Sequence, residues 1–409
     1  MNGKRLFAAS YGHFSIDSLN STIPIILTAV ATNFNLSVSQ IGLAAMIYTL
    51  AASLTQPLFG ILVDRLRGRW LAGLGLVWMM CFYAAAPFMP NYPLLVLCLS
   101  LGALGSGAFH PAGMINSTMA GGSRPTIATS LFFVGGQTGL ALGPTVAGVL
   151  LQNFGLAAMP YMALAMVPGA FFMLWFLHHP YEEVSPVKQD TPVDPKTPAQ
   201  AASTYTRTKG IFIAIAFVLL ITFRSTTQQG FTTLLPKYFA DLGYTPAVYG
   251  AMLSVLGIAG ATGTLLGGWL GDRFNRRMII LTSMTLGALF SFAMLYTSGW
   301  VYTLAALGAG SMMNVPHSIL LIMAQRFIPA RKGMIGGAVL GLMFASGAAM
   351  TGVGSWVADF VGLPLVLSTF ALLPIGAGIC ALTLPSTRGK ETAAEIKPAQ
   401  EAAPSTAGD

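Results

Sequence analysis

The chain has 409 residues, of which 54% are hydrophobic and 8% are charged, and its formal net charge is +8. Soluble domains contain about 25% charged residues, so a soluble protein of this length is excluded and the composition predicts a multi-pass protein of the lipid bilayer. The positive charge does not indicate a nucleic-acid-binding protein, because the basic residues lie in short clusters between apolar runs. The three cysteines each lie inside an apolar run, without the spacing of a disulfide or a metal site.

Twelve apolar runs are long enough to cross a hydrocarbon core of about 30 Å. They occupy residues 6–32, 38–63, 70–89, 93–119, 126–152, 157–178, 209–239, 246–271, 277–297, 300–325, 333–360 and 363–385. The break at 179–208 is rich in Pro, Thr, Asp and Lys and cannot bury a core, so it predicts a flexible linker. The expected organisation is a six-helix bundle at 1–178, a second one at 209–387 and a disordered tail at 388–409.

The basic residues set the expected orientation. With the N-terminus in the cytoplasm, all Lys and Arg residues except Arg224 and Lys237 fall on the cytoplasmic side, as the positive-inside rule requires. An even number of spans returns the C-terminus to the same side. The linker and the tail are then cytoplasmic, and the expected location is the cell (inner) membrane.

One charged stretch occurs twice. Gly60 begins Gly-Ile-Leu-Val-Asp-Arg-Leu-Arg-Gly-Arg, and 208 residues later Gly268 begins Gly-Trp-Leu-Gly-Asp-Arg-Phe-Asn-Arg-Arg. Each copy ends an apolar run with one acid and several arginines, so the recurrence predicts an internal duplication. The candidate gate residues in the two copies are Gly60, Asp64, Arg65, Arg69, Gly268, Asp272, Arg273 and Arg277.

Twelve spans in two halves, each with a Gly-x-x-x-Asp-Arg stretch after its second span, resemble the major facilitator superfamily of secondary transporters. The first copy has one extra residue before Gly68, and the second has Asn275 where the family has a glycine. The resemblance implies an all-α membrane protein of 12 transmembrane helices in two pseudo-symmetric six-helix bundles. It also implies alternating access, a monomer, and a first stretch that locks the halves together when the cytoplasmic side is closed.

Further segments narrow the resemblance. Gly139-x-x-x-Gly143-Pro144-x-x-x-Gly148 in the fifth span is similar to the motif of the antiporters in the superfamily, with Ala147 replacing one glycine. Leu101 stands where the family has an arginine in the fourth span, so coupling through that arginine is not expected. The segments 105–111, 121–124, 134–137 and 324–334, together with His13 and Asp17, resemble the fosmidomycin-resistance branch of drug exporters.

Two charges fall near the middle of a span. Asp17 lies halfway along the first run and Arg224 halfway along the seventh, 207 residues later. A charge at a helix centre costs about 2.5 to 3.5 kcal/mol on insertion scales, so both positions predict function. One interpretation is a static ion pair or packing contact. The other is that Asp17 binds a coupling proton, while Arg224 neutralises it or holds an anionic substrate group.

Two histidines show the same spacing. His110 and His317 lie 207 residues apart, and each is next to a proline. A lone helical histidine is usually a packing residue, but a repeated pair suits proton relay or substrate binding. Further polar residues lie on the first, fourth, seventh and tenth spans, which line the central cavity in the superfamily, and predict a site between the repeats. They are His13, Asn20, Asn116, Gln228, Gln229 and Asn314.

The favoured function is secondary active transport, namely proton-coupled efflux of small organic or drug-like molecules. The alternative is a symporter or uniporter that imports a small organic anion. An enzyme is not expected, because the spacing of an intramembrane hydrolase is missing. Without a Walker sequence, direct ATP-driven transport is not expected either. The expected partners are the substrate and H⁺, with no cofactor and no metal.

Overall fold

The computed structural model describes residues 1–66, 70–179, 207–327 and 332–385. These residues form α-helices and two short 3-10 helices, Ala86–Phe88 and Leu156–Ala158, with no strand among them. Spans 1 to 6 are Gly3–Asn20 with Ile23–Phe34, Val38–Leu66, Leu71–Ala85, Tyr92–Ala120, Pro125–Phe154, and Met159–Ala165 with Val167–Phe176. Spans 7 to 12 are Arg207–Asp241, Pro246–Arg273, Arg276–Leu295, Gly299–Asn314 with Pro316–Phe327, Lys332–Val361, and Leu363–Ala381.

The twelve predicted spans are confirmed, because 12 helical segments of the described chain are long and apolar enough to cross a membrane. Their ends agree with the predicted runs to within a few residues. Most of the predicted linker and the whole predicted tail at 388–409 lie outside the described residues.

Three spans are interrupted, which the hydropathy pattern does not predict. In each case a new helix starts at or just before a proline, at Pro24 in span 1, Pro168 in span 6 and Pro316 in span 10. Proline lacks the N–H that an interior helical residue donates, and its ring fits the first turn of a helix. Pro111 and Pro144 lie inside unbroken helices, so proline alone does not decide where a span breaks.

The two ends of the bundle differ in how the halves meet. We call the end that carries Arg5, Arg65 and Arg273 the arginine end, and the other one the opposite end. Span 2 starts at the opposite end, where its Gly42 packs directly against Ser355 of span 11. Close by, a Cβ at Gly352 of span 11 would lie 2.7 Å from the sulfur of Met46. The halves are therefore in tight contact at the opposite end.

Among the residues that the structure describes, the same helix faces have no neighbour at the arginine end. Gly60 lies 18 residues after Gly42, which is five helical turns, and Gly341 lies about three turns before Gly352. A Cβ at Gly60 or at Gly341 would meet no heavy atom of the described residues within 4 Å. Spans 2 and 11 therefore separate toward the arginine end.

Spans 5 and 8 form the second contact between the halves. Gly250 of span 8 packs against the carbonyl oxygen of Pro144, and Gly148 packs against that of Pro246. The hydroxyl of Ser254 lies 2.8 Å from that of Thr145 and accepts the Thr145 backbone N–H at 3.1 Å. Because no side chain stands between them, the two backbones approach closely.

Each half also caps a helix of the other half. The first N–H groups of a helix have no partner within it and need an acceptor. Both carboxylate oxygens of Asp359 lie 3.3 Å from the backbone nitrogen of Ser39, at the start of span 2. At the start of span 8, the Ala247 N–H donates to Gln152 Oε1 at 3.2 Å. Gln152 and Asp359 lie 207 residues apart, so the caps follow the internal repeat.

We expect Asp359→Ala to loosen the closure of the opposite end. A lost helix cap costs about 1 kcal/mol, which corresponds to roughly a fivefold shift of the equilibrium between the closed and open forms of that end. The measurement is the distance distribution between spin labels at Asn33 and Leu242, recorded by double electron–electron resonance in a background without the three native cysteines. Thr32→Ala, a change at an exposed residue of span 1, serves as the matched control. An unchanged distance distribution in Asp359→Ala would contradict the prediction.

Candidate functional site

Asp17 lies at the centre of a buried cluster in the first half. Its Oδ2 is 3.1 Å from His13 Nε2, and its Oδ1 is 3.5 Å from His110 Nε2. Asn20 Nδ2 donates to Oδ1 at 3.1 Å. His13 and Asn20 lie one turn from Asp17 on span 1, while His110 comes from span 4. We call Asp17, His13 and His110 the Asp17 cluster.

Backbone carbonyl groups orient both histidines. His13 Nδ1 lies 2.8 Å from Phe132 O of span 5, and His110 Nδ1 lies 2.8 Å from Ser106 O, one turn back along span 4. The His13 ring also stacks on the Phe132 ring at 4.0 Å. These contacts fix the rings so that each Nε2 points at the carboxylate.

Ser106 and Tyr48 complete the network, and neither was among the residues predicted from the sequence. The Tyr48 hydroxyl donates to Asn20 Oδ1 at 2.5 Å, and Asn20 Nδ2 donates to Ser106 Oγ at 3.0 Å. Since a tyrosine O–H must donate here, it fixes which end of the Asn20 amide faces Asp17. The only signal in the sequence was a polar residue inside an apolar run, which is weak.

Gly136 of span 5 leaves room for the cluster. A Cβ at this position would lie 2.5 Å from His13 Nε2 and 2.7 Å from Asp17 Oδ2. Such distances do not occur for real Cβ atoms, so any larger residue would displace one of the two side chains. The glycine thus determines the spacing between span 5 and the site.

We expect Gly136→Ala to impair transport by pushing His13 away from Asp17. Overpacking at a buried position typically costs about 1 to 3 kcal/mol, so the melting temperature of the purified protein should fall together with activity. Gly210→Ala is the matched control, because a Cβ at Gly210 would meet no atom within 4 Å. Wild-type activity in Gly136→Ala would refute this role.

Arg224 lies at the corresponding place in the second half. Its side chain is buried, with 3% of the residue exposed. Its Nε donates to Met313 O at 2.8 Å, and one terminal nitrogen donates to Asn314 Oδ1 at 3.2 Å. No carboxylate among the described residues pairs with it. The guanidinium is therefore held by neutral acceptors, and its positive charge is uncompensated.

The acceptors of Arg224 lie at the interruption of span 10. Pro316 has no N–H to donate to the carbonyl group one turn earlier, and the first helix of the span ends at Asn314. Met313 O and Asn314 Oδ1, just before the break, are the two acceptors that Arg224 uses. His317 is half-buried and lies one turn after Met313 along the same span.

The structure does not bring Asp17 and Arg224 together. The partners of Asp17 are His13, His110 and Asn20, whereas Arg224 donates to Met313 and Asn314 of span 10. The static ion pair, which was one of the two interpretations of these charges, is therefore not formed in this arrangement. That both residues lie in polar surroundings at equivalent places in the two halves agrees with the repeat.

The other candidate residues are more scattered. Asn116 is fully buried near the arginine end, where its Oδ1 accepts from Arg5 at 3.0 Å. Gln229 Nε2 lies 3.5 Å from Thr233 Oγ1, while Gln228 is exposed. Lys237, the other basic residue outside the predicted cytoplasmic clusters, forms an ion pair with Asp241 one turn further along span 7. That pair explains Lys237 without a role in transport.

The glycines of the antiporter-like segment lie at helix contacts. Gly139 packs against Phe14 O and Ser18, and Gly143 against Ser18 O and Ser21, all on span 1. Gly347, 208 residues after Gly139, packs in the same way against Ser225 O and Gln229. The packing follows the internal repeat. The role in antiport remains a prediction for the four residues of this segment, Gly139, Gly143, Pro144 and Gly148.

The candidate gate residues lie apart at the open arginine end. Asp64, Arg65 and Asp272 are exposed, and neither acid forms an ion pair with a residue whose side chain the structure describes. Arg273 stacks over the Trp269 ring at 4.3 Å, and the Arg277 backbone N–H donates to Asn275 Oδ1 at 3.1 Å. Arg69 lies outside the described residues. The gate function stays a prediction.

The Asp17 cluster combines a carboxylate with two imidazoles, which are groups that bind protons and can also bind metals. Its three ligand-type atoms lie within 4.8 Å of one another, a spacing that also occurs in transition-metal sites. The direct contact of 3.1 Å between His13 Nε2 and Asp17 Oδ2 is, however, a hydrogen-bond distance. The expectation of no metal stays a prediction.

Comparison with known proteins agrees with this architecture. The Major Facilitator Superfamily profile matches residues 9–352 and, in a second match, 224–405. The fosmidomycin resistance protein of Escherichia coli (strain K12) is 27% identical over 389 residues, which cover 94% of each chain. The uncharacterized MFS-type transporter YfnC of Bacillus subtilis (strain 168) is 26% identical over 377 residues, 91% of each chain.

Solved structures show the same fold. The nucleoside transporter NupG matches with a TM-score of 0.74 at 14% identity, covering 93% of this chain and 99% of its own. A D-xylose-proton symporter matches with a TM-score of 0.73 at 16% identity, covering 94% and 98%. The predicted fold and the resemblance to the fosmidomycin-resistance branch are confirmed. The chain belongs to the Major Facilitator Superfamily and is a multi-pass membrane transporter, not an enzyme.

Proposed function

We propose that the chain exports small organic or drug-like molecules from the cell by proton-coupled antiport. The observation that carries the proposal is the Asp17 cluster, a carboxylate near the middle of span 1 contacted by two titratable imidazoles. A buried group of this kind in a transporter is suited to taking up and releasing protons. The names of the relatives, which include multidrug resistance proteins, support export.

Alternating access explains the unequal ends of the bundle. Spans 2 and 11 pack together at Gly42 and Ser355 but have free faces at Gly60 and Gly341. The arrangement is that of a carrier whose site is open toward the arginine end. In the opposite state the halves would close there, bringing the gate residues Asp64, Arg65 and Arg69 toward the second half.

Arg224 is the residue that we assign to the substrate. A buried charge without a counter-ion is costly, and an anionic group of a bound molecule would offset that cost. Asn314 and His317 lie beside it on span 10 and supply further hydrogen-bonding groups. The Asp17 cluster in the first half would then bind protons, and Arg224 in the second half would bind the substrate anion.

The same residue supports a second candidate function. A symporter or uniporter that imports a small organic anion would also use an unpaired Arg224. The two functions differ in the direction of net substrate movement and in whether proton and substrate move together. The segment Gly139–Gly148 in span 5 favours antiport.

We further propose the topology derived from the basic residues. Both termini lie in the cytoplasm, and the bundles at 1–178 and 209–387 are joined by a cytoplasmic linker in a monomer. The arginine end is then the cytoplasmic end, so this structure faces inward. The location is the inner membrane, as expected for a relative of bacterial drug exporters.

The decisive experiment is transport in oriented proteoliposomes. A panel of anionic, neutral and cationic compounds is tested with an imposed pH gradient of either sign, while internal pH is recorded. Proton-coupled export predicts substrate accumulation in inverted vesicles with an acidic interior, accompanied by proton loss from the lumen. Accumulation that instead requires the substrate to move with protons would favour the symporter. Fluxes that ignore the pH gradient would refute proton coupling.

A further inference from the structure

The hydrogen bonds of the Asp17 cluster determine which ring nitrogens carry a proton. His13 Nδ1 faces Phe132 O, and His110 Nδ1 faces Ser106 O, both at 2.8 Å. His110 Nδ1 also lies 3.4 Å from the Ser106 hydroxyl oxygen, but its contact with the carbonyl oxygen is the shorter one. A carbonyl oxygen has no hydrogen to give, so each 2.8 Å contact is a hydrogen bond only when Nδ1 is the N–H donor. A neutral imidazole has only one N–H. In a neutral His13 or His110, therefore, Nε2 would carry a lone pair.

Both Nε2 atoms point at oxygens of the same carboxylate. With Asp17 ionised and both rings neutral, the contacts at 3.1 and 3.5 Å would each set a lone pair against a lone pair. Such a contact is unfavourable, and burial makes it more so because no water replaces the missing hydrogen bond. Each contact becomes a hydrogen bond only when it contains a proton, on either the nitrogen or the oxygen.

We propose that the Asp17 cluster binds two protons in this arrangement, one in each contact between Nε2 and the carboxylate. Asp17 and two imidazolium rings together then carry a net charge of +1. The inference rests on the proposed function only in identifying these protons as the coupled ions. It makes His13 and His110 proton carriers in their own right, rather than supports for Asp17.

The surroundings of Asp17 supply no competing charge. Span 1 contributes His13 and Asn20, span 4 contributes His110 and Ser106, and span 5 contributes Gly136 and the Phe132 carbonyl. Tyr48 of span 2 acts through Asn20. Among the residues that the structure describes, no Lys, Arg or second carboxylate contacts this group. Its charge is therefore set by its own protons.

The two histidines differ in their access to water. The His110 side chain is 28% exposed, whereas that of His13 is 4% exposed and that of Asp17 is 10% exposed. Protons from the open end of the bundle would thus reach the cluster through His110 and pass by way of Asp17 to His13. His110 is the exchange point, and His13 holds the inner proton.

The test is to count these protons by nuclear magnetic resonance. The full-length protein, labelled with ¹⁵N-histidine and ¹³C-aspartate, is studied in proteoliposomes at neutral pH without substrate. The chain has five histidines, and single variants assign their signals. Nitrogen shifts report the protonation of each Nε2, and the carboxyl carbon shift reports that of Asp17. Summed over the three groups, the expected count is two, and a count of one or zero overturns the proposal.

Two variants test the same count. His110→Gln keeps an N–H group that can face the carboxylate but cannot take up a proton, so the count should fall from two to one, with the remaining proton between His13 and Asp17. Asp17→Asn should bring both histidines to the neutral form with hydrogen on Nδ1. Histidine ¹⁵N shifts that are unchanged in Asp17→Asn would overturn the proposal. If Asp17→Asn does not fold, the proton count in His110→Gln still tests it.

This count is independent of transport. A count of two in a protein that moves no protons would leave the inference standing and refute proton-coupled export. A count of one in a protein with normal proton coupling would overturn the inference and leave proton-coupled export standing. His178→Gln, a change at an exposed histidine outside the spans, is the matched control and should leave the count at two.

Discussion

Asp17→Asn is expected to reduce substrate-driven proton flux to the level of empty vesicles. The amide cannot exchange a proton with the imidazoles, so the cluster loses the group that joins its two proton sites. Substrate exchange without a gradient should persist, because Arg224 lies in the other half and none of its contacts involve Asp17. The measurement is internal pH together with labelled-substrate flux in the same proteoliposomes.

Asp241→Asn provides the control for the loss of one negative charge. Asp241 pairs with Lys237 at the exposed end of span 7, far along the chain from the cluster. Its removal should leave proton coupling unchanged. Undiminished coupling in Asp17→Asn would rule out Asp17 as the carrier.

Arg224→Gln is expected to weaken the binding of anionic substrates by roughly 10- to 100-fold. Hydrogen bonds to a charged group contribute about 1.5 to 3 kcal/mol, and each 1.4 kcal/mol corresponds to about a factor of ten in affinity. The side-chain nitrogen of glutamine takes the position of the arginine Nε and can still donate to Met313 O, so the loss reports the missing charge more than that contact. The measurement is the dissociation constant for an anionic substrate and for a neutral analogue of similar size.

The comparison of the two ligands separates a binding role from a structural one. If Arg224 has only a structural role, Arg224→Gln should weaken the binding of both ligands equally. If its charge binds the substrate, the substitution should weaken the binding of the anion only. Arg224→Lys should retain part of the anion affinity, because it keeps the charge but lacks the Nε–H that Met313 O accepts. Arg124→Gln, at the exposed arginine end, controls for net charge.

Hydropathy and the repeat predicted the fold because burial in lipid constrains every span. A run of about 20 apolar residues must be helical, since no water satisfies its backbone. The same logic identified Asp17, Arg224, His110 and His317, whose polarity is costly at that depth. Which of these residues contact one another could not be predicted, because rotation of each helix about its axis is set by packing. His110 therefore emerged as a partner of Asp17 only from the structure.

The contacts between the halves were also beyond sequence analysis. Gln152 and Asp359 lie near span ends, where polar residues are common and carry little information. Their spacing of 207 was a usable signal that the sequence analysis missed. The break after Asn314 in span 10 resembles the unbroken span 4 in sequence, since both place a histidine beside a proline. A neighbour such as Arg224, which donates to the Met313 carbonyl beside the break, can stabilise the interruption at one proline and be missing at another.

The bare faces at Gly60 and Gly341 have a consequence for how mutations in this transporter should be judged. In the proposed cycle, spans 2 and 11 come into contact around Gly60 and Gly341 and separate around Gly42 and Gly352. A side chain introduced at Gly60 fits in the state described here but collides with the other half when the arginine end closes. Tolerance at such a position is therefore a property of the whole cycle, and an unaltered melting temperature can accompany a carrier that no longer turns over. Selection on turnover would preserve small residues along the full length of spans 2 and 11.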